Sequence, residues 1–238
     1  METNIQTYYG VSDDFRRYIP THQNRVNELG KIIRLNHKYF GKRVLDLMCG
    51  GGVLGVLLEP LGKQYVGVDL NIDMIKNAKN YAVRTKSKNK FILTDAVSYK
   101  SKNKFDTIAI LGNALMHIGT RELVKILENV KTYTSKGAFF IIDYRDLVYM
   151  LAEKQWKDKY VKKQNGRTVV SRYSGENVVD GYLIRKAQDL STKRKVKFTH
   201  YIWSPFIIEP LMNSNGWELV KRTKNKQWPG WLDVYRRT

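Results

Sequence analysis

Short apolar runs alternate with segments of helical periodicity from residue 44 to residue 143. The runs have the length and the β-branched or aromatic content of buried strands, and they lie at 44–47, 65–70, 91–93, 105–111 and 138–142. Between them, apolar residues recur at helical spacing over 53–61, 73–84 and 120–132. Strands that alternate with helices pair in parallel, so we predict an α/β protein with a mostly parallel, doubly wound sheet.

The pattern differs on either side of that region. Before it, Val26, Leu29 and Ile33 share one helix face and predict an amphipathic helix that leads into the first strand. After it, a charged helical segment precedes alternating runs that predict antiparallel strands, and a last helix and two strands follow. The charged helix is expected at 147–160, and the antiparallel strands at 168–173, 178–185 and 196–203. The last helix is expected at 205–213, and the last two strands at 217–220 and 232–235.

Neither a repeat nor a Pro- or Gly-rich linker divides the sequence. One domain over 1–238 is therefore expected, with an N-terminal helical lid region at 1–40 and an antiparallel insertion at about 147–203. The apolar content of 42% excludes a disordered chain, and no apolar run approaches the roughly 18 residues of a membrane helix. The first residues lack the features of a secretory signal, so we expect a soluble, cytoplasmic protein without a membrane partner.

The cysteine count and the charge narrow the class further. Cys49 is the only cysteine, which excludes a disulfide framework within one chain, and no metal site is predicted. The net charge is +20, but it is spread: residues 76–104 hold nine basic groups and one acid, and residues 151–200 hold thirteen and five. The tightest cluster lies at 193–197. Nucleic acid as an anionic partner and a merely solvated basic surface both stay open.

A glycine-rich loop follows the first predicted strand and reads DLMCGGGVLG at residues 46–55. It contains G-x-G-x-x-G, the spacing with which dinucleotide-binding enzymes bring the backbone close to a pyrophosphate. Asp46 at the mouth of the loop would repel a pyrophosphate but suits a ligand that carries positive charge. The sulfonium and the α-ammonium group of S-adenosylmethionine supply such charge.

Two more acids end the second and third predicted strands. Asp69 is placed for the paired hydroxyls of a ribose, and Asp95 for the amino group of an adenine. Any one of these acids could instead cap a helix or a turn. Three acids in order, together with the glycine loop, favour S-adenosylmethionine as the cofactor.

Residues 44–52 resemble the first motif of the class I S-adenosylmethionine-dependent methyltransferases, VLDxGxGxG, with Met48 in place of the first glycine. The resemblance implies a Rossmann-like fold. It also implies that the side chain of Met48 narrows the space above the methionine end of the cofactor. The implied cofactor contacts are Asp46, Met48, Gly50, Gly52, Asp69, Leu70, Asp95, Ala96, Leu111 and His117.

Later segments resemble the glycine and sarcosine N-methyltransferase family. They are Leu-Gly-Asn-x-x-x-His at 111–117 and Asp-x-Arg at 143–145, and the spacing of Phe15, Tyr18 and Arg25 also matches that family. The resemblance implies that Phe15 and Tyr18 form a lid over the cofactor. It implies that Arg25 reaches the methionyl carboxylate of the cofactor.

Three residues of the later segments are implied as the catalytic set. Arg145 offers a planar, bidentate fork for a substrate carboxylate. Asn113 accepts a hydrogen bond from the substrate amine or holds the methionine end of the donor. His117 donates to the cofactor carboxylate or acts as a base. Each residue also has a structural alternative. Arg145 could form a surface ion pair, Asn113 could be a turn residue, and His117 could cap a helix.

Residues that the chain lacks narrow the choice of methyl acceptor. Attack on cytosine C5 needs a nucleophilic cysteine, but Cys49 lies inside the cofactor loop. Methylation of exocyclic base nitrogens usually employs an Asn/Asp-Pro-Pro-aromatic turn, which the sequence at 111–114 lacks. We therefore favour N-methylation of a small amine or amino acid by in-line attack. An RNA or ribosomal-protein methyltransferase, a dehydrogenase and a non-enzymatic binding module stay open.

Overall fold

A computed structural model of the protein describes residues 22–155, 157–164, 167–177, 179–225 and 229–238. The described strands form two sheets. In chain order they are β1 (Arg43–Leu47), β2 (Gln64–Asp69), β3 (Lys90–Leu93), β4 (Phe105–Ile110), β5 (Thr134–Arg145), β6 (Lys159–Gln164), β7 (Arg167–Asn177), β8 (Tyr182–Asp189), β9 (Lys195–Tyr201), β10 (Trp217–Lys224) and β11 (Gly230–Arg237).

Three of the six helices of the described residues connect parallel strands. The six helices are α1 (Gln23–Asn36), α2 (Val53–Leu58), α3 (Ile72–Thr85), α4 (Thr120–Thr132), α5 (Leu147–Ala152) and α6 (Pro205–Ser214). Short 3-10 turns occupy His37–Tyr39, Glu59–Leu61 and Ala114–His117. Within these described ranges, no helix combines the length and the apolarity that crossing a membrane requires.

The larger sheet has seven strands in the order β10-β11-β5-β4-β1-β2-β3. β1 pairs in parallel with β2 and with β4, and β4 pairs in parallel with β5. β11 runs antiparallel to both β5 and β10 and is the one reversed strand of this sheet. The predicted α/β class with a mostly parallel, doubly wound sheet is confirmed.

Helices cover both faces of the larger sheet. Leu45 and Leu47 of β1 pack in a buried cluster with residues of α4 and α6. Val44, which points to the opposite face, packs with residues of α1, α2 and α3. Because both faces are buried, these strands are apolar at successive positions, and this is the pattern that made them visible in the sequence.

The smaller sheet is antiparallel, has the order β6-β7-β8-β9 and lies between α5 and α6 in the chain. Its C-terminal end is fixed to the turn that follows β4. The indole Nε1 of Trp203 donates to the carbonyl oxygens of Leu115 and Ile118 at 2.8 and 3.2 Å. The backbone N–H of Leu147 donates to the Trp203 carbonyl at 3.1 Å. These bonds hold the smaller sheet beside the carboxyl edge of the larger one.

Two predicted elements of this region are wrong in their bounds. The helix predicted over 147–160 ends at Ala152, because Lys154 adopts a left-handed backbone with φ of 53°, where L-residues are strained and a helix cannot continue. The residues from Lys159 onward pair with β7 as strand β6. The strand predicted at 178–185 begins only at Tyr182, after Gly181 turns the chain with φ of 68°.

Candidate active site

A cavity of about 230 Å³ opens at the carboxyl ends of β1, β2 and β4. Ligands of open α/β sheets bind at this edge, where the strand order reverses, and here the reversal lies between β1 and β4. The three predicted acids, Asp46, Asp69 and Asp95, all line the cavity. So do the predicted contacts Arg25, Met48, Gly50, Leu70, Ala96, Leu111 and His117.

Positive backbone φ angles shape the loop between β1 and α2. Met48, Gly50 and Gly52 have φ of 60°, 55° and 78°, a region that favours glycine. Met48 therefore holds a strained position where the motif usually has glycine, and its side chain lines the cavity. At Gly52, a Cβ atom would lie 2.2 Å from Cε1 of Phe91. Gly52 thus lets the loop pack against β3, but unlike Met48 and Gly50 this predicted cofactor contact is not among the residues that line the cavity.

Asp69 is held in place by backbone N–H groups on both sides. Its Oδ2 accepts from Gly50 at 2.7 Å and its Oδ1 from Asn71 at 2.8 Å. Asn71 in turn caps α3 by accepting from the N–H of Asp73 and Met74. A carboxylate has about four acceptor sites, so Asp69 can still accept from two hydroxyl groups of a ligand.

Asp46 is a buried carboxyl group at the end of β1. The hydroxyl of Tyr65 donates to its Oδ2 at 2.7 Å. Burial raises the pKa of Asp46 to about 7, against the opposing effects of the Tyr65 hydrogen bond and the Arg25 charge. A positively charged ligand would favour the ionised form, so the site is suited to a cation.

Arg25 of α1 lies between acidic groups. Its guanidinium is buried and contacts Glu28 at 3.1 Å. Its positive charge also opposes the effect of burial, which raises the pKa values of Asp46 and Asp143. Arg25 lines the main cavity and a second one of about 100 Å³ that Asp143 also lines. The predicted contact of Arg25 with a ligand carboxylate is compatible with this place, but the structure gives the residue acidic neighbours as well.

Asp95 follows β3 and is exposed, with its Oδ1 accepting from the N–H of Val97 at 2.9 Å. Ala96 beside it is buried, and the side chain of Leu70 is 52% exposed at the end of β2. Leu70, Ala96 and Asp95 all line the cavity. An apolar slot with one carboxylate at its edge fits a flat, hydrogen-bonding ring.

Asn113 joins the ends of β4 and β5. Its side-chain Oδ1 accepts from the backbone N–H of Arg145 at 2.9 Å, and its own N–H donates to Oδ1 of Asp143 at 2.7 Å. Its side-chain Nδ2 lies 3.1 Å from the sulfur of Met116. The amide is thus used to position the strand ends, and a contact of Asn113 with substrate stays a prediction.

His117, which lines the cavity, lies near His200 and Arg145, which do not line it. His117 ends the 3-10 turn after β4, and burial lowers its pKa to about 4, so the imidazole is neutral near pH 7. Burial, together with the nearby His117, Arg185 and Arg145, lowers the pKa of His200 of β9 well below its usual range. Nε2 of His200 is buried and lacks a hydrogen-bond partner among the described residues. Arg145 itself is exposed.

Sequence reasoning missed several residues of this region. Glu122 lines the cavity and accepts from the N–H of Gly119 at 3.0 Å. Asp143 is buried, and burial raises its pKa to about 6. Asp143 is the first residue of the Asp-x-Arg segment at 143–145, so the sequence did offer a signal for it. His200 lies in an alternating strand with no motif around it.

The predicted lid residues Phe15 and Tyr18 lie outside the described residues. Among the residues that the structure does describe, no three His, Cys, Asp or Glu side chains form a group that could hold a metal ion.

Comparisons with known proteins bear on this site. The family described as "Methyltransferase domain" matches residues 40–216. Among curated proteins, the ubiquinone biosynthesis O-methyltransferase of Aliivibrio fischeri (strain MJ11) is 30% identical over 102 residues, which are 43% of this chain and 42% of that protein. The match therefore spans about two fifths of the relative's length.

Solved structures match over the whole length. The PH0226 protein of Pyrococcus horikoshii OT3 is 22% identical, with a TM-score of 0.77 over 99% of this chain and 100% of that chain. CalS10 of Micromonospora echinaspora, an amino pentose methyltransferase, is 15% identical, with a TM-score of 0.66 over 100% of both chains. At these identities the likeness concerns the fold.

Proposed function

This chain belongs to the methyltransferase domain family, and from that premise we propose that it transfers a methyl group from S-adenosylmethionine to a small-molecule amine. The observation that carries the cofactor in this proposal is the alignment of Asp46, Asp69 and Asp95 along one cavity at successive strand ends. The finer resemblance to glycine and sarcosine N-methyltransferases stays a prediction.

The residues of the cavity fit the groups of this cofactor. Asp46 offers a buried carboxylate to its positive charges, and Asp69 keeps acceptor sites for ribose hydroxyls after binding two backbone N–H groups. The slot beside Leu70 and Ala96 suits an adenine, with Asp95 at its amino edge. A pyrophosphate, by contrast, would be repelled by Asp46 at the mouth of the glycine loop, which argues against a nicotinamide dinucleotide.

When bound, the cofactor supplies a methyl group on an activated sulfur. The protein's contribution is then to align the acceptor and to exclude water, which together can lower the barrier by several kcal/mol of the roughly 7 to 11 available from orientation. Neutral His117 can accept a hydrogen bond from an incoming N–H group. Arg145 would bind a carboxylate of an amino-acid acceptor through its fork. Neither residue is needed as a strong base.

A hydroxyl acceptor is the second candidate, because the curated relative with 30% identity is named as an O-methyltransferase. Neutral His117 can accept from O–H as well as from N–H. The net charge of +20 keeps an RNA or ribosomal-protein acceptor as a third.

A transfer assay with methyl-labelled S-adenosylmethionine tests the proposal. The acceptors are amino acids, amino sugars, matched hydroxy compounds and total RNA. Labelling of an amine and not of its hydroxy analogue is expected. Labelling confined to RNA or to hydroxy compounds would refute the amine, and calorimetric binding of NAD with no binding of S-adenosylhomocysteine would refute the cofactor.

A further inference from the structure

The outer face of the smaller sheet carries four basic side chains in one straight line. Lys159 of β6 is paired directly with Arg172 of β7, Arg172 with Lys186 of β8, and Lys186 with Lys197 of β9. Directly paired residues of a sheet point to the same face. Neighbouring strands lie about 4.8 Å apart, so this cation row spans roughly 14 Å.

The cation row lies on an exposed, concave surface. All four of its residues are exposed, and they border a groove of about 760 Å³. The neighbouring line of paired residues adds Lys195 to the groove, beside Val170 and Gln188. Among the described residues that line the groove, none is Asp or Glu. The charged residues that line the groove are therefore all basic.

This arrangement costs folding stability. Like charges placed directly opposite one another on paired strands repel, and each pair of neighbours in the cation row repeats that repulsion. A surface that only keeps a protein soluble mixes both signs of charge. A ligand with regularly spaced negative charges would remove the repulsion between the four side chains.

We propose that this groove binds the phosphodiester backbone of a nucleic acid. A backbone supplies one negative charge at each repeating unit, which matches a line of evenly spaced cations. The concave shape suits a rod or a strand, whereas a flat lipid surface would reach only the rim of the groove. Lys and Arg contacts of this kind bind without reading sequence, so affinity with little sequence preference is expected.

The cation row lies on the opposite side of the smaller sheet from the candidate active site. Along β9, the exposed Lys195 and Lys197 alternate with Val196 and Phe198, which are buried. His200, which interacts with His117 and Arg145, has the same parity as Val196 and Phe198. The nucleic acid would therefore be a docking partner and not the methyl acceptor, so this proposal is independent of the proposed function.

Fluorescence anisotropy with a labelled 20-nucleotide single-stranded RNA of mixed sequence tests the proposal on the full chain. The quadruple variant K159Q/R172Q/K186Q/K197Q is compared with K76Q/K79Q/K100Q/K102Q, which removes the same charge from exposed positions elsewhere. We expect the first variant to bind at least tenfold more weakly at 50 mM salt. Its slope of log affinity against log salt should be shallower by about 2.8, from roughly 0.7 per lost contact. The control should keep most of its affinity.

Three results would overturn the proposal: no RNA binding by the unaltered protein at 50 mM salt, equal losses in the two quadruple variants, or binding to vesicles of anionic phosphatidylglycerol without binding to RNA. Thermal unfolding provides a second measurement. Because the cation row repels itself, K159Q/R172Q/K186Q/K197Q should melt at a higher temperature than the unaltered protein in the absence of RNA. If that variant does not fold, R172Q alone should still flatten the salt slope by about 0.7.

Discussion

At the scale of single residues, the protonation of Asp46 links cofactor binding to pH. Burial raises the pKa of this carboxyl group to about 7, and a positively charged ligand favours its ionised form. Below pH 7, binding must therefore release a proton. We expect the affinity for S-adenosylmethionine to fall about tenfold from pH 8 to pH 6 by this linkage. Calorimetry at the two pH values measures the change.

Two controls separate Asp46 from its neighbours. Tyr65, Arg25, Asp69 and Asp143 all act on it, and the pKa of Asp143 is itself raised to about 6. Asp46→Asn should bind more weakly at pH 8 and lose most of the pH dependence. S-adenosylhomocysteine lacks the sulfonium charge and should show a smaller dependence. A full pH effect in the Asn variant would assign the linkage to another group.

The same carboxyl group should affect folding. Because the folded-state pKa of Asp46 lies above its unfolded value, its contribution to stability is present at low pH and is lost as the pH rises through about 7. Without ligand, Asp46→Asn should therefore have a higher Tm than the unaltered protein at pH 8. Scanning calorimetry at pH 5 and pH 8 checks this, and a Tm gain that is larger at pH 5 would contradict it.

Asp69 allows a sharper test of the ribose contact. Replacing it with Ala removes a charge-assisted contact worth roughly 1.5 to 3 kcal/mol, which is at least about tenfold in Kd for S-adenosylmethionine. Asp73→Ala is the matched control, since Asp73 is exposed in the first turn of α3 and does not line the cavity. Equal Kd values for the two variants would show that Asp69 only holds the glycine loop, through the N–H of Gly50, and does not contact the ribose.

At the scale of elements, Trp203 fastens the smaller sheet to the turn that carries His117. Trp203→Phe leaves the carbonyls of Leu115 and Ile118 without this donor and should cost about 3 kcal/mol. For a chain of this length, the Tm should fall by roughly 6 to 12 °C. Transfer activity should also fall, because the turn with His117 loses its support.

Trp217→Phe is the matched comparison for that variant. Trp217 is equally buried and packs edge-on against Phe140 with 5.4 Å between ring centroids, but its Nε1 has no hydrogen-bond partner among the described residues. The Phe variant loses packing yet removes an unsatisfied donor, so its Tm should fall less than half as far. Similar losses in both variants would mean that the Trp203 hydrogen bonds contribute little.

The elements of the larger sheet could be predicted because the signal lies within each segment. Strand β1 is apolar on both faces, and α4 shows its buried face in Leu123, Leu127 and Val130. The bounds of the smaller sheet could not be predicted in this way. Strand β6 exists because it pairs with β7, and neither its composition nor its periodicity indicates that partner.

The residues of the candidate site also differ in whether the sequence alone could place them. Asp46, Asp69 and Asp95 follow recognisable strands and could be placed at one edge of the sheet from the sequence. The double use of Asn113, which accepts from Arg145 while its own N–H donates to Asp143, depends on the register of β4 and β5. His200 reaches the site through the fold of the smaller sheet, so no local pattern marks it.

At the scale of the whole molecule, the two sheets give the basic chain two different surfaces. Counted along the sequence, the positive charge is spread and suggests no particular partner. Cross-strand pairing brings Lys159, Arg172, Lys186 and Lys197 from separate segments into one line. The other face of the same sheet presents His200 to the end of β5. The smaller sheet thus borders a proposed docking groove on one face and, on the other, a proposed acceptor pocket at His117, His200 and Arg145.

The last prediction concerns that acceptor pocket. If the acceptor carries a carboxylate, Arg145→Leu removes a bidentate contact and should raise its KM by roughly tenfold or more, with little change in kcat. Cofactor affinity should stay nearly constant, because the residues that line the main cavity include Arg25 but not Arg145. Steady-state kinetics with the acceptor found in the transfer assay, and calorimetry with S-adenosylhomocysteine, measure both quantities.

The matched control is the decarboxylated form of the same acceptor: its KM should already be high and should not respond to Arg145→Leu. The loss of a carboxylate contact can affect only the acceptor that carries a carboxylate. An equal rise in KM for both acceptors would therefore mean that Arg145 acts by holding the end of β5 or the nearby His200.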